Sequence, residues 1–370
     1  MRTCLNVIML GVMFVNSIVT VVHADDEVTQ VELQRIRIKL AQHEQKLNAI
    51  QKRLAAGGGF VVDIEADDQA EANPGDALPS ERFRPLYSIN RDGTDLKFLL
   101  AAPEMVTTGT PQWSHDGNSI VVDSTPETDQ VILSRIWVYG VAGPFRGMTR
   151  HLGSGNTPTW SPDDSQIAYM VNPGNPDGVE GGTWIMNADG TEKHRFGHGW
   201  YTRWSPDGTE ICVHDYQTNP HSLLIYELET GNQRRVLGDD IEVVFGGANW
   251  SADGEQLVAL VIRDGEQQLI TINRAGDRDS IRVICREPLE DRMFVGPPVM
   301  APDGSEIVFA IQDDVNGNLS QRHWQKTYLY LVSTKGNSEP RLLEKEKTGL
   351  INRSMEWSPD GQKIIFSSER

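Results

Sequence analysis

The chain has 370 residues and carries 52 acidic against 34 basic side chains, for a formal charge of −18 at pH 7. That acidity excludes nucleic acid or an anionic membrane surface as the main partner, and solubility alone accounts for it. Three cysteines are too few to build a disulfide-held scaffold.

Arg2, a mostly apolar stretch from Cys4 to Val22, and Val22-His23-Ala24 form the three parts of a secretory signal peptide. Cleavage is expected after Ala24, leaving a periplasmic or secreted chain of charge −19 with no membrane insertion. The alternative is an uncleaved anchor, because the apolar stretch approaches bilayer-spanning length. Asn6, Asn16, Ser17 and Thr20 interrupt it, which favours release. Cys4 lies too early for a lipoprotein signal.

Residues 25–56 read as a coiled-coil helix. Leu33, Leu40, Leu47 and Leu54 recur every seven, with Ile36, His43 and Ile50 three after the first three leucines. Asp25, Asp26 and Glu27 at the start and Lys52-Arg53 at the end suit the helix dipole. This seam predicts a homo-oligomer; a single amphipathic helix on the rim of the following domain is the other reading. Residues 57–85 are acidic and rich in Gly, Ala and Pro, the composition of a flexible tether.

From residue 86 onward the chain is repetitive. Trp113-Ser114-His115-Asp116-Gly117 recurs as Trp160-Ser161-Pro162-Asp163-Asp164, Trp204-Ser205-Pro206-Asp207-Gly208 and Trp250-Ser251-Ala252-Asp253-Gly254. Met300-Ala301-Pro302-Asp303-Gly304 and Trp357-Ser358-Pro359-Asp360-Gly361 complete the set, the six lying 44 to 57 residues apart. Each is a turn in which Pro presets φ, Asp bonds the backbone ahead and Gly supplies positive φ. Seven residues after each Trp or Met stands Ile120, Ile167, Ile211, Leu257, Ile307 or Ile364. Two further on come Val122, Tyr169, Val213, Ala259, Phe309 and Phe366, on the same strand face. A second hairpin alternates with the first, clearest at Asn90-Arg91-Asp92-Gly93 and Asn187-Ala188-Asp189-Gly190. A repeat of about 40–50 residues with four strands in each is a propeller blade. The first element (86–100) is an outer hairpin and the last (355–368) an inner one, so the two ends must share a blade. The expected fold is all-β: a six-bladed β-propeller over 86–370, closed by pairing N-terminal outer strands with C-terminal inner strands.

These residues resemble the TolB-type propeller repeat, whose hallmark is this W-S-P-D-G turn, an aliphatic strand and an N-x-D-G hairpin. The resemblance implies the fold and no more. TolB itself carries an α/β domain ahead of the propeller, whereas the segment here is short and helical in pattern, so no partner-binding residue is carried over.

Alternating strand directions put the Asp-Gly turns on one face of the disc. The longer segments 123–135, 170–183, 214–222 and 311–327 fall on the other, where binding residues are expected. Trp200, Tyr201 and Arg203, with Arg322, His323 and Trp324, are the candidate ligand contacts, since loop aromatics and arginines anchor interfaces or stack on sugars. Rings folded back into the central channel are the competing explanation. His198, His214, Asp215 and His221 approach the same face and define a candidate metal site. Oligogalacturonate lyases, propellers with a histidine-bound metal, are similar in that respect, although here the histidines cluster on one blade. No Gly-x-Ser-x-Gly, His-Glu-x-x-His or phosphate loop occurs. The six turn aspartates read as turn formers, and Cys212 and Cys285 as small core residues without disulfide. The reading is a non-catalytic binding module without cofactor, recognising a protein or glycan in the cell envelope. The alternative is a metal-dependent, lyase-like enzyme acting on polysaccharide.

Overall fold

The computed structural model describes residues 84–369, apart from 103–104, 127–129, 288–291, 314–326, 337 and 344–350. The signal segment, the heptads and the acidic tether lie outside the described residues.

Among the described residues, twenty-four strands make six blades, antiparallel within each, and a single parallel pairing at Thr327 and Ile351 links blades five and six. Blade one runs β3 (Thr107–Trp113), β4 (Ser119–Thr125), β5 (Arg135–Gly140), β6 (Thr149–Ser154). Blade two runs β7 (Asn156–Trp160), β8 (Gln166–Val171), β9 (Gly182–Asn187), β10 (His194–Gly197). Blade three runs β11 (Trp200–Trp204), β12 (Glu210–Asp215), β13 (Ser222–Glu227), β14 (Gln233–Arg235). Blade four runs β15 (Glu242–Trp250), β16 (Gln256–Arg263), β17 (Glu266–Asn273), β18 (Arg282–Glu287). Blade five runs β19 (Arg292–Met300), β20 (Glu306–Asp313), β21 (Thr327–Ser333), β22 (Arg341–Leu342). Blade six joins both ends of the chain: β23 (Ile351–Trp357), β24 (Lys363–Glu369), then β1 (Leu86–Asn90) and β2 (Lys97–Leu100).

The closing pair runs in register from Leu86 opposite Ser367 to Asn90 opposite Lys363. Arg84 adds an ion pair to Glu369 and a bridge to Thr107 of blade one, so the entering chain is tied to both sides of the seam. Closure covers β24 with β1, so the second strand of blade six is not left as a free sheet edge.

The motif spacing is a hairpin register. Trp113 pairs with Ile120, Trp160 with Ile167, Trp204 with Ile211, Trp250 with Leu257, Met300 with Ile307 and Trp357 with Ile364. All six aliphatics are wholly buried, as are the residues two further on, Tyr169 alone keeping 2 % exposure.

The turns also explain the Ser of the motif. Its hydroxyl donates to the Asp two residues on at 2.6 Å in all five copies that have it. It accepts the backbone N–H five residues on at 2.9 Å, stitching the hairpin shut. The turn aspartates are therefore structural, and these bonds hold them below the usual carboxylate range, Asp163 at about 2. Cys212 is buried, Cys285 half-buried, and both are free thiols.

Candidate functional site

Every innermost strand breaks register at one place, between Gly109 and Gln112, Asn156 and Thr159, Trp200 and Arg203, Val243 and Ala248, Val295 and Val299, and Arg353 and Glu356. At each break a residue takes positive φ: Thr110, Thr157, Tyr201, Gly246 and Gly247, Gly296 and Ser354. A bulge bends a strand and re-aims its side chains. Five of these positions line one cavity of about 680 Å³, to which all six innermost strands contribute. Its lining comes from the beginnings of those strands and the ends of the second strands, so it opens away from the motif turns.

Trp200 and Tyr201 lie in this cavity wall, on β11 rather than in a loop. The Trp200 ring packs edge-on to Tyr216 at 5.7 Å, and Tyr216 is 41 % exposed. Val131 and Ile132 stand exposed on the same side, Val131 at the cavity wall. Polar groups sit among these apolar ones. Asp123 in the wall accepts the Thr157 N–H at 2.8 Å, and burial raises its carboxyl above the usual range.

Arg203, expected with Trp200 and Tyr201 among the ligand contacts, is buried. It is 5 % exposed, donating to Asn249 Oδ1 at 2.6 Å and to the Thr202 carbonyl at 2.9 Å. Asn249 in turn donates to the Pro298 carbonyl at 2.8 Å. The bulge after Trp200 turns Arg203 away from the cavity mouth and into the joints of blades three, four and five. There it senses Glu356 of blade six, half a ring away, whose carboxyl burial pushes up to about 7. Arg322, His323 and Trp324 lie outside the described residues.

The histidines near blade three do not form one donor set. His198 Nε2 stands 3.7 Å from Asp215 Oδ1, while its Nδ1 meets the Tyr226 hydroxyl at 3.1 Å. His214 is 2 % exposed and packs edge-on to His221 at 5.4 Å. Burial pulls the His214 imidazole down to about 4. Among the described residues, no three His, Cys, Asp or Glu side chains are placed to hold a metal ion.

Sequence reasoning missed Thr110, Asp123, Thr157, Phe294 and Ser354 in the cavity. A signal existed: Thr110, Thr157, Tyr201, Gly247 and Ser354 each stand three residues before the motif Trp. Without knowledge of the bulge, that position reads as one more strand residue.

No family model and no curated relative matches the chain. Solved structures do. A putative TolB from Agrobacterium tumefaciens is similar at TM-score 0.58 and 18 % identity, over 77 % of this chain and 97 % of that one. A chain of the nidogen/laminin complex is similar at TM-score 0.50 and 12 % identity, over 70 % and 93 %. An oligogalacturonate lyase in complex with manganese follows at 0.44 and 13 %, over 77 % and 96 %. At these identities the likeness is one of fold: a six-bladed propeller of the TolB type. Among the described residues no helix is long and apolar enough to cross a membrane.

Proposed function

We propose that this is an exported, non-catalytic binding module that recognises a protein or glycan of the cell envelope through its cavity-bearing face. The observation that carries the reading is the cavity of about 680 Å³, walled by all six innermost strands and flanked by Trp200, Tyr201, Val131 and Tyr216. Aromatic anchors around a concave, mixed-polarity site are the usual makings of a recognition surface. Export by residues 1–24 places it in the periplasm or outside the cell. Residues 25–56 would present several copies together, raising avidity without new contacts. The lyase-like alternative lacks a metal donor set among the described residues.

A photo-crosslinking residue at position 216 in the native cell should capture a partner, and one at 363, beside a motif turn, should not. Trp200→Ala should then weaken the captured ligand about thirtyfold, the worth of a 2 kcal/mol anchor, with the melting temperature unchanged. Capture only from position 363, or a Trp200→Ala variant that binds normally and melts early, would overturn the assignment of this face.

A further inference from the structure

The motif-turn face has six equivalent slots between blades, and two of them are filled by an arginine. In each blade the residue opening the outer hairpin donates its N–H to the neighbouring motif turn. Arg91 reaches Gln362, Val141 Asn118, Ala188 Ser165, Leu228 Thr209, Arg274 Glu255 and Thr334 Ser305, all at 2.8–3.0 Å. These shared bonds make the six positions equivalent.

In two slots the position is an arginine, with the same surroundings. Arg274 stacks over Trp250 of its own blade at 5.4 Å and pairs with Asp207 at 2.6 Å and Glu210 at 2.8 Å of the preceding blade. Arg91 stacks over Trp357 at 5.3 Å and pairs with Asp303 at 2.8 Å and Glu306 at 2.7 Å. In these two slots an indole face and paired carboxylates form a guanidinium seat.

Four slots carry no arginine, and between blades one and two the seat keeps one of its carboxylates and an indole that is 3 % exposed. The position is Ala188, the smallest of the six, and a groove of about 300 Å³ opens there. Its lining includes Trp160 and Asp116, the counterparts of Trp250 and Asp207, with Ser119 where the other seats have Glu210 and Glu306. Asp116 Oδ2 accepts a neutral amide, Asn118 Nδ2 at 2.8 Å, where Asp207 and Asp303 meet a guanidinium. Asp164 and Asp189 add negative charge to the lining and Arg150 opposes it. Phe145 and Met148 complete the groove and are 49 % and 51 % exposed. They belong to the connection after β5, which departs from the short Asp-Gly turn of the repeat.

We propose that this groove receives, in trans, an arginine of another protein that carries an apolar side chain beside it. The guanidinium would take the place that Arg91 and Arg274 take elsewhere, against Trp160 and Asp116, with its apolar neighbour on Phe145 and Met148. Lysine is the poorer guest, because only the planar guanidinium stacks on indole while forking to a carboxylate. With Ser119 in place of a second acid, the guest is held less firmly than the built-in arginines, as suits a reversible contact. The site is separate from the cavity on the opposite face, and neither reading depends on the other.

The test titrates the full mature chain with a short amidated peptide containing Leu-Arg, alongside its citrulline analogue. Binding is followed at the Trp160 indole N–H signal, assigned by its loss in Trp160→Phe. The arginine peptide should bind at least tenfold more tightly than the citrulline peptide, and Asp116→Asn should weaken it about fivefold. Ala188→Arg should fill the seat from within, abolishing binding and raising the melting temperature. Equal binding of the citrulline peptide, or undiminished binding to Asp116→Asn, would overturn the proposal. So would an unmoved Trp160 signal at millimolar arginine peptide.

Discussion

Glu356 accepts the N–H of Trp357 at 3.0 Å and sits where burial lifts its carboxyl to about 7, with the distant Arg203 charge pulling the other way. In the unfolded chain the same carboxyl ionises near pH 4.5. A carboxyl raised by folding costs nothing below its unfolded value and destabilises progressively as pH rises towards its folded value. Glu356→Gln should therefore leave stability unchanged at pH 4 and increase it by roughly 2 kcal/mol at pH 8, discounted because the residue keeps some solvent. Thermal melts of the two proteins across that range check this; equal melting temperatures at pH 8 would remove the carboxylate's cost. Arg203 shows where a single chain stops being readable. Arginine beside Trp200 and Tyr201 ahead of a strand has the composition of an exposed anchor. Its fate is decided by a bulge that resets the alternation and by Asn249, a partner 46 residues away. Neither has a local sequence signature.

The motif hairpin is the unit in which the repeat and its departures both make physical sense. Pro162, Pro206, Pro302 and Pro359 face the motif glycine of the next blade, and a Cβ added at Gly208, Gly254, Gly361 or Gly117 would meet the proline ring at 3.4–4.0 Å. Ala252 lacks a ring, and a Cβ added at Gly304 beyond it would meet nothing within 4 Å. Where the Pro is His115, the next blade's Gly is Asp164, and the two side chains bond at 2.9 Å. Asp164 also accepts the His115 and Asp116 N–H groups, holding φ +58 without glycine. Two departures that look independent in the sequence are thus one substitution of contact for ion pair. The Asp164 bond, with the charges of Asp164, Glu356 and Asp163, raises the His115 imidazole above its ordinary value. Its contribution is complete below pH about 6.5 and fades as pH rises through the folded value. A double-mutant cycle with His115→Ala and Asp164→Asn should show coupling of about 0.5 kcal/mol at pH 5.5 that shrinks by pH 9. Coupling independent of pH would mean that the charge has no part in it. The hairpins, their register and their core positions are legible because each recurs six times. The cavity is less so, because its residues share a position and not a chemistry.

At the scale of the whole ring, order along the chain carries the information. An outer hairpin at one end and an inner hairpin at the other can be reconciled only by a shared blade, and β1 lying on β24 is that reconciliation. Blade six contributes Ile89, Trp357, Ile364 and Phe366 to a core it shares with Ala301, Val308, Leu329 and Leu331 of blade five. Its other face sets Leu86 and Ile365 among Ile120, Val122 and Tyr139 of blade one. Removing residues 86–100 would strip both outer strands from blade six and take Leu86 and Ile89, each at most 1 % exposed, out of those two cores. In an open solenoid such a deletion trims one terminal repeat and leaves the others nearly as stable as before. In a closed ring it exposes the edge of β24 and the flank of blade one together, and the cost reaches both neighbours. The deletion variant should therefore lose the cooperative thermal transition of the parent and expose hydrophobic surface to a reporter dye. A single sharp melt near the parent temperature would show that blades one to five stand without the clasp, and that closure is not what holds this propeller together.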